Sequence, residues 1–197
     1  MLDDLLSLES FPRDLVGELV PKFVKKGQDA EPYDFAIESH VDSIGWVDLI
    51  CWDTRYGLKL TARVSTRRAT LAILGFRPVE RGFLVEQLQA QGDKQSPVRY
   101  LRWERLLVSA LIELARRGEV YREVQIQAAS TTTWFTEPVG LCSVKKEGGT
   151  IQWLLEGKRT LEEYQADMKR RYDGTARGLG FKWCEDKKLW IYPLRSG

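Results

Sequence analysis

One stretch dominates what this chain can become: "SPVRYLRWERLLVSALIELARRG", residues 96–118. Within it Leu101, Leu106, Leu107, Ala110, Leu111 and Leu114 recur at helical spacing and form one broad apolar stripe. Ser96 is placed to cap that helix, Pro97 to occupy its first position, and Gly118 to end it behind Arg116 and Arg117. A stripe of that width needs a cover of comparable area, and a single long helix of this kind finds it on a β-sheet. Arg99, Arg102 and Arg105 lie toward the helix start, the end at which the dipole disfavours cations. A solvated face or a bound partner would each account for them.

The rest of the chain supplies strands. "YDFAIESHV", "GWVDLICWD", "LKLTARVS" and "ATLAILGF" alternate apolar and polar residues and are separated by short turns at 42–45, 53–57 and 67–68, which favours an antiparallel meander. After the long helix, "EVYREVQIQA", "TTTWFTE", "GLCSVKK" and "TIQWLLEG" read the same way, the last two joined as a hairpin across 147–149. A first helix is expected over 12–26, interrupted or kinked at Pro21 and stopped by Gly27. A charged helix opens at Thr160, which forms a capping box with Glu163, and leads into a final hairpin of "GFKWC" and "LWIYP". The expected class is α+β: a largely antiparallel sheet of meander and hairpins against one long amphipathic helix, with further helices at both ends. Residues 1–156 would form the core domain, and 157–197 a basic helix-hairpin appendage or a further part of the same domain.

The overall net charge of +2 hides a division: residues 1–50 carry −7, residues 51–156 carry +5 and residues 157–197 carry +4. An acidic N-terminal quarter and a basic remainder fit a phosphate-binding face, or an acidic segment docked on the basic part. No apolar run reaches the ~20 residues of a membrane span. The start, "MLDDLLSLES", has acids where a secretory signal has cations, so a cytoplasmic protein is expected. Cys51, Cys142 and Cys184 are odd in number and widely spaced, which argues against a disulfide framework and a zinc site. Neither a cofactor nor a metal is expected.

Catalytic sets are sparse. The only histidine is His40, in an alternating run, and no Gly-rich phosphate loop, His-Glu-x-x-His or calcium loop is present. "GWVDLICWDTRYGLKLTARVSTR", residues 45–67, resembles the central hairpin of the PD-(D/E)XK nuclease superfamily, in which a strand presents a metal-binding Asp and the next carries Glu-x-Lys. The resemblance places the metal-binding Asp on Asp48, and the Glu and Lys positions on Arg63 and Ser65. A cation in place of a metal-binding carboxylate implies a nuclease-like hairpin that binds without cutting; a plain hairpin with a structural Asp48 is the other reading. Asp48, Glu38 and His40 would be the first candidates for an enzyme of another kind.

The C-terminal segment "RGLGFKWCEDKKLWIYP" interleaves aromatics and cations. Cations that contact phosphates beside rings that stack on bases are what a nucleic-acid binder needs. Strand parity puts Phe181 and Trp183 on one face and Lys182 on the other, so one surface cannot use them all. Gly180, Phe181, Lys182, Trp183, Lys188 and Trp190 are also similar to a short pattern in small modules attached to DNA-processing proteins. The expected function is non-catalytic nucleic-acid binding as an accessory factor. Its candidate residues are Arg170, Arg171, Arg177, Lys182, Trp183, Lys187, Lys188 and Trp190. A protein partner held on the aromatic surface, as in an assembly or chaperone-like role, is the alternative.

Overall fold

The structure, a computed structural model, describes residues 13–27, 33–39, 56–64, 67–90, 97–118, 120–132, 135, 144–146, 149–151 and 161–194. It is α+β. Strands β1 (Tyr33–Ser39), β2 (Tyr56–Val64), β3 (Arg67–Val79) and β4 (Gly82–Ala90) form the meander. The chain then crosses through helix α2 (Trp103–Arg117) to β5 (Glu123–Gln127), which pairs parallel to β4. A separate two-stranded ribbon, β6 (Val144–Lys146) and β7 (Gly149–Ile151), precedes helix α3 (Leu161–Gly178) and the hairpin β8 (Lys182–Cys184) and β9 (Leu189–Pro193). Helix α1 (Arg13–Phe23) stands at the start.

The main sheet has seven strands in the order β1-β2-β3-β4-β5-β9-β8, antiparallel at every step except β4 to β5. The hairpin within 157–197 is therefore continuous with the sheet, β9 being hydrogen-bonded to β5. One apolar cluster joins Leu58, Leu74, Phe76 and Val85 of the sheet to Leu106, Leu107 and Leu111 of α2, to Leu19 of α1 and to Tyr172 and Ala176 of α3. α1, α2 and α3 thus share this core, and the α2 stripe is covered as its width requires.

Three local expectations are corrected. Helix α2 begins at Trp103: Pro97–Tyr100 is a 3-10 turn, and the chain between forms an isolated bridge to α1 through Val24 and Leu101. The Lys25 amide donates to the Tyr100 carbonyl (2.8 Å) and the Arg102 amide to the Phe23 carbonyl (3.0 Å), so the end of α1 holds these backbone groups out of helical geometry. Of the kink or division expected at Pro21, division does not occur: α1 runs through it and ends two residues beyond, short of the expected 26. Within "TTTWFTE", Thr131 belongs to the 3-10 turn Ala129–Thr131 rather than to a strand; of the remainder, Thr132 and Phe135 are described and lie in no strand. Strand β4 is an addition, one that the alternation of the sequence did not single out.

The reason is a bulge. Val85 pairs with Phe76 and Gln87 with Gly75, leaving Glu86 as the extra residue that breaks the alternation. Tyr172 of α3 serves the backbone there: its hydroxyl accepts from the Leu88 amide (3.0 Å) and donates to the Glu86 carbonyl (3.4 Å). Burial pushes the phenol up to about 12. Tyr172→Phe leaves the Leu88 N–H without an acceptor and is expected to cost about 1–3 kcal/mol in urea denaturation. Because the folded-state pKa is raised, the folded protein holds this proton more tightly than the unfolded chain. Stability contributed by the neutral phenol is complete below pH ~10 and is lost as pH rises from there toward 12, by on the order of 2–3 kcal/mol. That alkaline slope should be largely absent in Tyr172→Phe.

Candidate functional site

The bridge between α1 and the entry to α2 has a further effect. It brings Lys25, at the end of α1, beside Arg102 and Arg105 at the start of α2, and α3 packs against the same place with Arg170 and Arg171. These five cations line a cleft of ≈ 530 Å³, together with two carboxylates, Glu104 and Asp167. The volume lies within the range of small-ligand pockets.

Each cation is held differently. The Arg171 guanidinium lies over the Trp103 ring, 5.5 Å from its centroid, and donates to the Leu88 carbonyl (3.3 Å). Arg170 pairs with Asp167 one turn earlier in α3 and is largely exposed. Lys25 donates to the Arg99 carbonyl (2.5 Å). Arg105 lies against Gly178: a Cβ there would stand 2.4 Å from its Nη2, so only glycine leaves the guanidinium its present place. Arg102 occupies the N-cap position of α2, and no side chain caps the helix. Among the described residues, the guanidiniums of Arg102 and Arg105 meet no hydrogen-bond acceptor.

Glu104 is the opposing charge. Its burial pushes the carboxyl pKa up, against the attraction of Arg171, Arg105 and Arg170 and a hydrogen bond from its own backbone N–H. Desolvation outweighs the three arginines because Glu104 is largely buried, whereas the guanidiniums remain partly solvated and act through space.

The structure divides the residues expected from sequence. Arg170 and Arg171 enter the cleft. Arg177 lies over the Trp190 ring at 5.7 Å and is not part of the cleft lining. Trp190 donates its indole N–H to Asp173 (2.9 Å), the same oxygen that accepts the Ala129 amide (3.2 Å). Trp183 faces Trp190 across the hairpin with ring centroids 5.3 Å apart, and Phe181 faces Tyr192 at 5.2 Å. All four aromatics occupy one face, and Lys182 points to the other. Lys188 is paired with Glu185 within the turn, and Trp183 also donates to Glu185. Lys187 is exposed at the turn.

Lys25, Arg102, Arg105 and Glu104 complete the cleft and were not in the expected set. Arg102 and Arg105 carried a signal, as cations at the wrong end of a helix dipole. Lys25 carried none, because its neighbours are more than seventy positions away. Asp48, His40 and Ser65 lie outside the described residues, as do the side chains of Glu38 and Arg63, and so does the hairpin resemblance that rests on them. Among the described residues no group of three or more His, Cys, Asp or Glu could hold a metal, and no helix is long and apolar enough to cross a membrane. Comparison of the chain with protein-family models, with curated proteins and with solved structures finds no match.

Proposed function

We propose that the protein is a non-catalytic nucleic-acid-binding accessory factor that grips phosphate in the cleft between α2 and α3. The observation that carries this is the convergence of Lys25, Arg102, Arg105, Arg170 and Arg171 on one cleft against two carboxylates. Four of the five are arginines, whose planar forks match phosphate oxygens in pairs. At the hairpin Arg177 adds a cation over the Trp190 ring, and Trp183 is 39% exposed and can stack on a base. A protein partner on the hairpin is the second reading, favoured by the same exposed ring beside a turn whose Lys188 and Glu185 neutralise each other.

The test is fluorescence anisotropy with labelled single-stranded DNA, duplex DNA and single-stranded RNA at low salt. Binding should weaken steeply as salt rises, and Arg102→Glu with Arg170→Glu should weaken it at least about tenfold. Both side chains are exposed, so the fold should survive their replacement. No binding at low salt, or binding indifferent to the double charge reversal, sinks the nucleic-acid reading.

A further inference from the structure

The cleft holds more positive charge than an internal phosphodiester can use. Five cations against two carboxylates leave a surplus of three within ≈ 530 Å³. An internal phosphodiester brings one negative charge, whereas a phosphomonoester brings about 1.5–2 at neutral pH and three strong acceptor oxygens. The donors to meet it are in place. Arg102 and Arg105 have no acceptor among the described residues, and Arg171 directs a single N–H to Leu88. Both Arg102 and Arg105 stand at the positive end of a 15-residue helix, where a cation raises the energy unless an anion shares the place. The cations come from three separate elements, so they converge on one point rather than tracking a strand.

Glu104 is the carboxylate that Arg171, Arg105 and Arg170 attract at present, beside Asp167, which pairs with Arg170. The Glu104 carboxylate accepts from its own amide in the first turn of α2, with Arg105 beside it on the same helix, Arg170 and Arg171 facing it from α3, and Lys25, Arg102 and Asp167 completing the lining. We propose that the cleft seats a phosphomonoester, the terminal phosphate of a nucleic-acid strand, and that this phosphate displaces the Glu104 carboxylate. The strand part of the proposal rests on the nucleic-acid reading; the phosphate seat does not. Burial already disfavours the charged form of Glu104, so an arriving dianion drives it toward the neutral acid, and phosphate binding takes up a proton there.

The experiment compares one single-stranded oligonucleotide carrying a 5′-phosphate, a 3′-phosphate or hydroxyls at both ends, alongside a free nucleoside monophosphate. At least one phosphorylated end should bind about tenfold or more tightly than the hydroxyl form. That advantage should vanish in the Arg102→Ala, Arg170→Ala double variant, whose fold is checked by circular dichroism. It should grow at neutral pH in Glu104→Gln, which keeps the shape and removes the competing charge. Equal affinity for the three oligonucleotides overturns the terminal-phosphate proposal and leaves nucleic-acid binding standing. Binding of the free monophosphate, lost in the double variant, with no oligonucleotide bound, supports the phosphate seat and overturns the strand. An end preference that persists in the double variant overturns the cleft as its seat, and no binding of any probe overturns both.

Discussion

Gly82→Ala should lower the free energy of unfolding by about 3–5 kcal/mol, read as a shift of the urea midpoint, and Gly17→Ala should not lower it. Gly82 opens β4 directly opposite Glu123, the first residue of β5, at the only parallel pairing among the described strands. A Cβ on Gly82 would stand 1.7 Å from the Glu123 carbonyl oxygen and 2.9 Å from its carbon. Both are backbone atoms, so no side chain can swing aside, and the strands must separate. Separation strains the two bonds that fasten this corner, from the Arg122 and Glu123 amides to the Arg81 carbonyl at 2.8 and 3.1 Å. Each is worth about 1 kcal/mol. It also shifts Phe83, which packs edge-on against Phe76 and lies 4.5 Å from the Tyr121 ring. Gly17, inside α1, has no heavy atom within 4 Å of the corresponding point, so alanine there should gain up to ~1 kcal/mol of helix propensity. A Gly82→Ala protein as stable as the parent would mean that β4 and β5 do not approach this closely.

What could be read in advance divides along the range of the interactions. The α2 stripe was legible because periodicity is local: Leu106, Leu107, Ala110 and Leu111 are all completely buried. Its entry differs from the local pattern because the competing hydrogen bonds, from the Lys25 amide to the Tyr100 carbonyl and from the Arg102 amide to the Phe23 carbonyl, join it to a segment brought there only by the fold. The Glu86 bulge hid β4 for a related reason: its partner is Tyr172, eighty-six positions away. The cleft repeats the pattern. Arg170 and Arg171 stand in a local basic run and are legible there. Arg102 and Arg105 are marked in the sequence by the dipole alone, with nothing local to tie them to α3, and Lys25 arrives through the bridge of Val24 to Leu101.

The hairpin permits the sharpest separation of anchor from exposed surface. Phe181→Ala should cost about 3–5 kcal/mol, and Trp183→Ala, two residues on and on the same face, less than about 1 kcal/mol. Parity makes the pair equivalent; the end of α3 does not. Gly180 takes a left-handed φ of +84°, the Phe181 amide reaches the Ala176 carbonyl (3.0 Å), and the Gly180 amide reaches that of Arg177 (3.1 Å). This is the Schellman arrangement, in which the residue after the glycine folds back on the helix. Phe181 accordingly lies 5% exposed in the core beside Tyr172 and Ala176. Trp183 has passed beyond the helix onto β8, the outermost strand, where its ring meets Trp190, its N–H donates to Glu185 and it stays 39% exposed. A Trp183→Ala loss as large as that of Phe181→Ala would make Trp183 an anchor and leave the hairpin no exposed ring. A small loss leaves it free to stack, and Trp183→Ala should then weaken single-stranded more than duplex nucleic acid, because only unpaired bases offer it a face.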